Sequence, residues 1–283
     1  MDFPIHATTS QLVVARAVTL IPGYFTAPVP PTPTVFNTQQ DACPTATIAL
    51  MRFADNIGRA VGYDREQNGR LIQDIFPVRS SEHQQVSSSS KVVLGSHTET
   101  AFHPHKPRFV VLLCLRSDPQ AATTYADVAD MVVLLSDEDL AVLQTNEFVT
   151  SVDPSFMSNG EPDAQVRVKP LTATSEGWSL IYDQLLMRGT TPRAISALSA
   201  LHHAIKHTTQ QIVLAAGNEN LRASDFVAAI CLWLSARADH AKVGPAMRLR
   251  QVHGTRPFAG NDVGNIGLLL FFRTRDKDGG HGG

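Results

Sequence analysis

HTETAFHPHKPRFVVLLCLR, residues 97–116, carries two signals from which the rest of the chain is read. Phe109–Leu115 is an unbroken apolar run with strand character, of a length that suits burial on both faces. Ahead of it stand an imidazole and a carboxylate two residues apart, His97 and Glu99, shortly after a smaller apolar run, Val92–Leu94. On a strand, residues i and i+2 share a face, so the spacing predicts that His97 and Glu99 aim at one point. A histidine and a carboxylate on a common face are two of the three ligands of a facial triad. That ligand set leaves the opposite side of the metal open, which suits a non-haem Fe(II) that must take up a co-substrate and oxygen. A second histidine from far along the chain is required, and His253, in Val252-His253-Gly254, is the candidate.

Composition narrows the classes. With 283 residues the chain suits one large domain, residues 1–283, able to bury a sizeable core. A formal charge of −2 argues against a general role on nucleic acid or anionic membrane. No apolar run has the length of a membrane span, and the opening MDFPIHATTSQ lacks the basic and apolar regions of a signal peptide. Cys43, Cys114 and Cys231 are odd in number, far apart and without a CxxC, so neither a disulfide framework nor a thiolate zinc site is expected. Cys114 reads as a small buried apolar residue. The expectation is a soluble, cytoplasmic protein with no nucleic-acid or membrane partner. No GxSxG elbow, P-loop or GxGxxG is present, which leaves hydrolase and nucleotide-binding readings without support.

Residues 22–45 are proline-rich (APVPPTPTVF) and are expected to be extended and irregular. Thr47–Val61 predicts a helix with Leu50, Ala54, Ile57 and Val61 on one face and Gly62 as its stop. Ser87–Ser90 reads as a polar loop leading to His97. Ser136-Asp-Glu-Asp139 has the form of a helix start, a serine cap followed by acids in the first turn. Trp178–Met187 closed by Gly189, Pro192–His207 with Ile195, Leu198 and Ile205, and Ser224–Ala236 read as helices. Residues 157–251 are thus expected to form a helical insert or brace on a β-sandwich core. The glycine-rich tail, 277–283, is expected to be flexible.

The runs QDIFPVR (73–79), SSSSK (87–91), HTETAFHPHKP (97–107), LLCLRSD (112–118), TSVDPSF (150–156) and VHGTRPF (252–258) give the chain its resemblance. In order and spacing it resembles the clavaminate synthase-like enzymes, close to the asparagine and arginine hydroxylases of peptide-antibiotic pathways. The resemblance is dense from about residue 60 to 156 and returns at 252–258. It implies a mainly β fold with helical additions around a double-stranded β-helix (jelly roll). It also implies an Fe(II)- and 2-oxoglutarate-dependent dioxygenase, with iron held by His97, Glu99 and His253. The implied substrate is an amino acid or amino-acid derivative, free or carrier-bound, hydroxylated or desaturated with O2 in specialised biosynthesis. Gln85 and Ser89 lie where the family borders its substrate. Asp153 is a candidate for an amino or guanidino group, and a turn-forming role before Pro154 accounts for it equally well. His103 and His105, flanking Pro104, are expected at the pocket mouth, and His203 and His207 on a helix surface.

Departures from the family's pattern matter. Its arginine for the far carboxylate of 2-oxoglutarate lies thirteen or fourteen residues beyond the distal histidine, a position held here by Ile266 and Gly267. Arg273 and Arg256 are substitutes from other directions, and Thr124 lies where the family offers a hydroxyl to the same carboxylate. Gly95 stands where relatives often carry an acid, and residues 218–251 resemble nothing in the family. Two alternatives follow: a diverged, non-catalytic relative, and an iron oxygenase that does not use 2-oxoglutarate.

Overall fold

The computed structural model describes residues 13–15, 18–20, 27–35, 41–55, 59–107, 109–116, 122–157, 164–175, 177–213, 251–255 and 266–273. Strands dominate them, and every described pairing is antiparallel. The long apolar run forms β5 (Phe109–Arg116) and pairs with β14 (Ile266–Arg273). Two short strands share the other edge of β14: β3 (Arg59–Val61) beside Phe271–Arg273, and β4 (Ile72–Ile75) beside Gly267–Leu270. Burial of β5 is as its composition implies, with Val110, Val111, Leu113, Cys114 and Leu115 all inside.

A second sheet places β6 (Ala122–Asp127) between β12 (Gln210–Val213) and β13 (Gln251–Thr255). A third has β7 (Phe148–Ser151) between β8 (Gln165–Val168) and β11 (Met187–Gly189). Two hairpins complete the strands, β1 (Val13–Ala15) with β2 (Val18–Leu20), and β9 (Leu171–Thr174) with β10 (Gly177–Leu180).

Helix α1 (Pro44–Asp55) begins on a proline, whose missing N–H is no loss in a first turn, and buries Ala46, Leu50 and Ala54 against the β5–β14 sheet. α2 (Val128–Val132) follows β6 directly. α3 (Asp137–Leu143) starts as expected, with Ser136 Oγ accepting from Asp139 N at 3.1 Å and three acids in the first turn. α4 (Pro192–Thr208) is capped by Thr191 and ends on Lys206 and His207, charges that suit each end of the helix dipole. Its inward stripe is Ala194, Ala197, Leu201, Ala204 and Ile205, packed with Met131, Leu143, Phe148, Leu171 and Tyr182. Ile195, expected inside, is 59% exposed; the small alanines, not the bulkier isoleucine, let the helix lie close to β11.

Several expectations are corrected. The helix foreseen over 47–61 ends at Asp55, and its last three residues are β3. Gly62 does not stop a helix; it permits a close backbone approach, since a Cβ there would lie 2.8 Å from Gly69 O. The helix foreseen over 178–187 is instead β10, an extended link and the start of β11. Gly177, at φ +117°, turns the β9–β10 hairpin. Leu180 and Tyr182 are buried while Ser179 and Ile181 are half-buried, a period of two. The helical brace foreseen for 157–251 is, over its described part, mostly strands with α4 as its one helix. Val92–Leu94 is loop, not strand. Residues 27–35 are irregular, as the prolines imply. Ile57, Ser224–Ala236, the stretch 218–250, Arg256 and the tail 277–283 lie outside the described residues. Among the described residues no helix is long and apolar enough to cross a membrane.

Candidate metal centre

His97 and Glu99 converge although the segment carrying them is not a strand. His97 makes an isolated antiparallel bridge with Asp183, and Glu99 opens a turn whose next residue, Thr100, sits at φ +46°. That left-handed conformation is uncommon for a β-branched residue, and local strain of this kind persists where surrounding structure enforces it. His97 Nε2 lies 3.9 Å from Glu99 Oε1. Two donors each about 2.1 Å from one ion are at most about 4.2 Å apart, so one ion can be shared. The other ring nitrogen, Nδ1, lies 2.7 Å from Gly95 O. A carbonyl only accepts, so Nδ1 carries the proton and the neutral ring presents its lone pair at Nε2, towards Glu99. This donor set fits a divalent metal.

The rest of the turn is held from outside. Thr98 and Tyr182 exchange bonds, Thr98 N to Tyr182 O at 2.8 Å and Tyr182 N to Thr98 Oγ1 at 3.0 Å. Tyr63 donates its hydroxyl to His105 O at 2.7 Å and sits 3.2 Å from Thr100 Oγ1. Its ring packs edge-on to His103 and Phe156, with centroids 4.8 and 5.3 Å away. Tyr182, buried, also reaches His202 Nδ1 at 2.9 Å; burial raises the phenol's pKa and lowers the imidazole's.

Glu66 was not foreseen. Within REQNGR a glutamate looks like any solvated loop residue, and only tertiary burial distinguishes it. Its Oε2 is buried without a hydrogen-bond partner. Burial first, then the charge of Glu99, pushes its pKa up to about 7 against a hydrogen bond from Gln73. The folded apoprotein therefore holds a proton on Glu66 that the unfolded chain releases above its ordinary 4.5. Stability is fullest below that value and falls as pH rises towards 7. In the metal-free protein, Glu66→Gln is expected to raise stability at pH 8 by up to about 3 kcal/mol and to change little at pH 4.5. Thermal melting at the two pH values checks this, and an equal shift at both would remove the carboxyl as its cause.

Other expected residues are placed as follows. His253 lies on β13 opposite Tyr125 of β6, and Thr124 lies opposite Gly254, so the sheet brings these two positions side by side. Arg273 is on the other large sheet, opposite Arg59 and roughly 20 Å along β14 from Gly267. Arg116 stands directly across from Ile266 and donates to Pro30 O at 3.1 Å and to Thr32 Oγ1. Gln85 engages both amide atoms with backbone at Val93 and Gly95. Ser89 Oγ donates to Glu82 O at 2.8 Å. Asp153 Oδ1 accepts from Ser155 N at 2.8 Å, capping the short 3-10 turn over Pro154–Phe156. His105 N donates to His103 Nδ1 at 3.0 Å. His203 and His207 are exposed on α4.

No protein-family model matches the chain. It is 34% identical over 174 residues to L-lysine 3-hydroxylase of Catenulispora acidiphila, an overlap of 59% of this chain and 48% of that protein. It is 29% identical over 165 residues to clavaminate synthase 2 of Streptomyces clavuligerus, covering 57% and 50%. The chain spans about half the length of the curated relatives it matches. Among solved structures, asparagine oxygenase in complex with Fe(II), 2S,3S-3-hydroxyasparagine and succinate superimposes with a TM-score of 0.72 and 28% identity, over 92% of this chain and 75% of the other.

Proposed function

We propose, for a chain that belongs to the clavaminate synthase-like oxygenases, an Fe(II)- and 2-oxoglutarate-dependent oxidation of an aliphatic C–H bond in an amino acid or amino-acid derivative. The observation that carries the reading is the His97–Glu99 pair, 3.9 Å apart, with the far nitrogen of the imidazole held by Gly95. His97 and Glu99 are two ligands and His253 the third, from the sheet that also carries Thr124. The iron, when bound, couples decarboxylation of the 2-oxo acid to oxidation of the substrate. The protein's part is to hold the ligands, orient the target carbon and limit side reactions.

The antiparallel, non-sequential sheets support reading the core as the family's jelly roll and residues 1–283 as one oxygenase domain acting in the cytoplasm. Ser89 and Asp153 are proposed to border the substrate once their present partners yield to it, whereas Gln85 is read below as a holder of backbone. The far carboxylate of 2-oxoglutarate is assigned to Thr124 with an arginine from beside β14. Arg116 stands across from the family's arginine position and Arg273 at the far end of the strand. A second reading, an iron oxygenase without 2-oxoglutarate, is favoured by Ile266 and Gly267 at that position.

Anaerobic titration of the apoprotein with Fe(II) and then 2-oxoglutarate separates them. The expected result is the weak visible charge-transfer band of a chelated 2-oxo acid. Iron bound without the band moves the second reading ahead, and no iron bound overturns both.

A further inference from the structure

The residues ahead of His97 lack the ladder that would normally aim such a side chain. Residues 93–96 belong to no helix or strand, and Val93 is 52% exposed, so packing does little to hold them. Yet this loop carries the carbonyl that sets the protonation of His97. Two glutamines stand in for the missing strand. Gln85 Oε1 accepts from Gly95 N at 3.1 Å, and its Nε2 donates to Val93 O at 2.9 Å. Gln184 Oε1 accepts from Ser96 N at 3.0 Å, while its own backbone N donates to Ser96 O at 3.0 Å. The Gly95 peptide is thus gripped on its N–H side by Gln85 and on its carbonyl side by Gln184, through Ser96 N. Leu185 covers it: a Cβ at Gly95 would lie 3.1 Å from Leu185 Cγ.

We infer that Gln85 and Gln184 are positioning residues that orient the Gly95 carbonyl to take the Nδ1 proton of His97, leaving Nε2 free to bind a metal. The step from tautomer to metal rests on the reading of His97 as a ligand; the tautomer itself belongs to the metal-free protein. A carboxamide is suited to the task, because one side chain both accepts from an N–H and donates to a C=O, as a neighbouring strand would. Partners that orient a ligand histidine are commonly worth 10–100-fold in metal affinity.

The test compares the wild-type full chain with Gln85→Ala, Gln85→Met (which retains the volume) and Gln184→Ala. Gln84→Ala is the control, an exposed neighbour whose amide reaches only Ser80 O. Imidazole 15N–1H correlation spectra of the apoprotein, above the histidine pKa range, report the tautomer of His97, assigned by its absence in His97→Ala. Co(II) titration reports affinity. The expected result is a single Nδ1–H form in wild type and Gln84→Ala, drifting towards Nε2–H in the Gln85 and Gln184 variants, with affinity reduced 10–100-fold. An Nδ1–H form retained in all three variants, or an Nε2–H form in wild type, overturns the inference. A tautomer that shifts while Co(II) affinity holds leaves the clamp standing and instead sinks His97 as a ligand.

Discussion

Glu99→Ala is expected to leave the chain folded, unable to hold Fe(II) and without turnover above background, and His97→Ala to do the same. Both side chains are only partly buried, with relative exposures of 21% for His97 and 15% for Glu99, so their removal opens no core cavity. Changes at such positions usually alter stability by about 0.5 kcal/mol or less. Losing one of three protein ligands leaves two donors, too few to keep a divalent ion against water and buffer. The two variants are therefore expected to separate folding from function. Calorimetric titration with metal, beside thermal melting of the same samples, makes the comparison. Full activity in either variant would overturn the ligand assignment. Glu99→Ala should also lower the pKa of Glu66, because the charge of Glu99 is a cause of its elevation.

Gly189→Ala is expected to be the most disruptive single methyl in the described chain. A Cβ there would lie 2.5 Å from both Ala194 C and Ile195 N, backbone atoms that cannot rotate away. The glycine ends β11, next to β7, while Thr191 immediately after it caps α4, so either the strand or the helix must shift. Ala194 and Ala197 of that helix face the main core cluster, and moving them disturbs Leu201 and Tyr182 together. Overpacking against backbone costs about 3 kcal/mol or more, enough to leave many domains largely unfolded at 37 °C. Gly177→Ala is the contrast: its φ of +117° is unfavourable for alanine, but the Cβ meets nothing within 4 Å. Its penalty is backbone strain of about 1–3 kcal/mol, with the core left intact. Urea denaturation of the two variants ranks them, and a Gly189→Ala protein as stable as Gly177→Ala would contradict the packing argument.

What was legible in the sequence was whatever is locally determined. The run 109–115, the Ser136 cap with its acids and the Thr191-Pro192 opening of α4 are short-range signals, and the structure has an element at each. The HTE spacing brought its two side chains together for a different reason than periodicity offers. The segment is a bridge and a strained turn, and convergence comes from Gly95, Thr98 and Tyr63 contacts made with residues far away in the chain. Trp178–Met187 was misread for a related reason. Its apolar residues fit a helical period over so short a window as well as a period of two, and the choice is made by pairing with Ser96–Thr98, over eighty residues distant. Glu66 was invisible because a carboxylate's burial is a property of its surroundings. Gly62 and Gly189 were both read as helix stops, whereas their missing side chains make room for backbone.

The placement of β14 bears on how the protein is made. Residues 59–116 emerge from the ribosome with three strands that have no common neighbour until residues 266–273 arrive to lie among them. At ordinary elongation rates that interval is on the order of 10 s. Throughout it, the apolar edge of Phe109–Arg116 stands open, the kind of exposed strand that recruits other chains. Slow, non-local assembly of this sort places the nascent chain among the clients of chaperones, and its yield on overexpression should follow temperature and chaperone supply more closely than the stability of the finished fold.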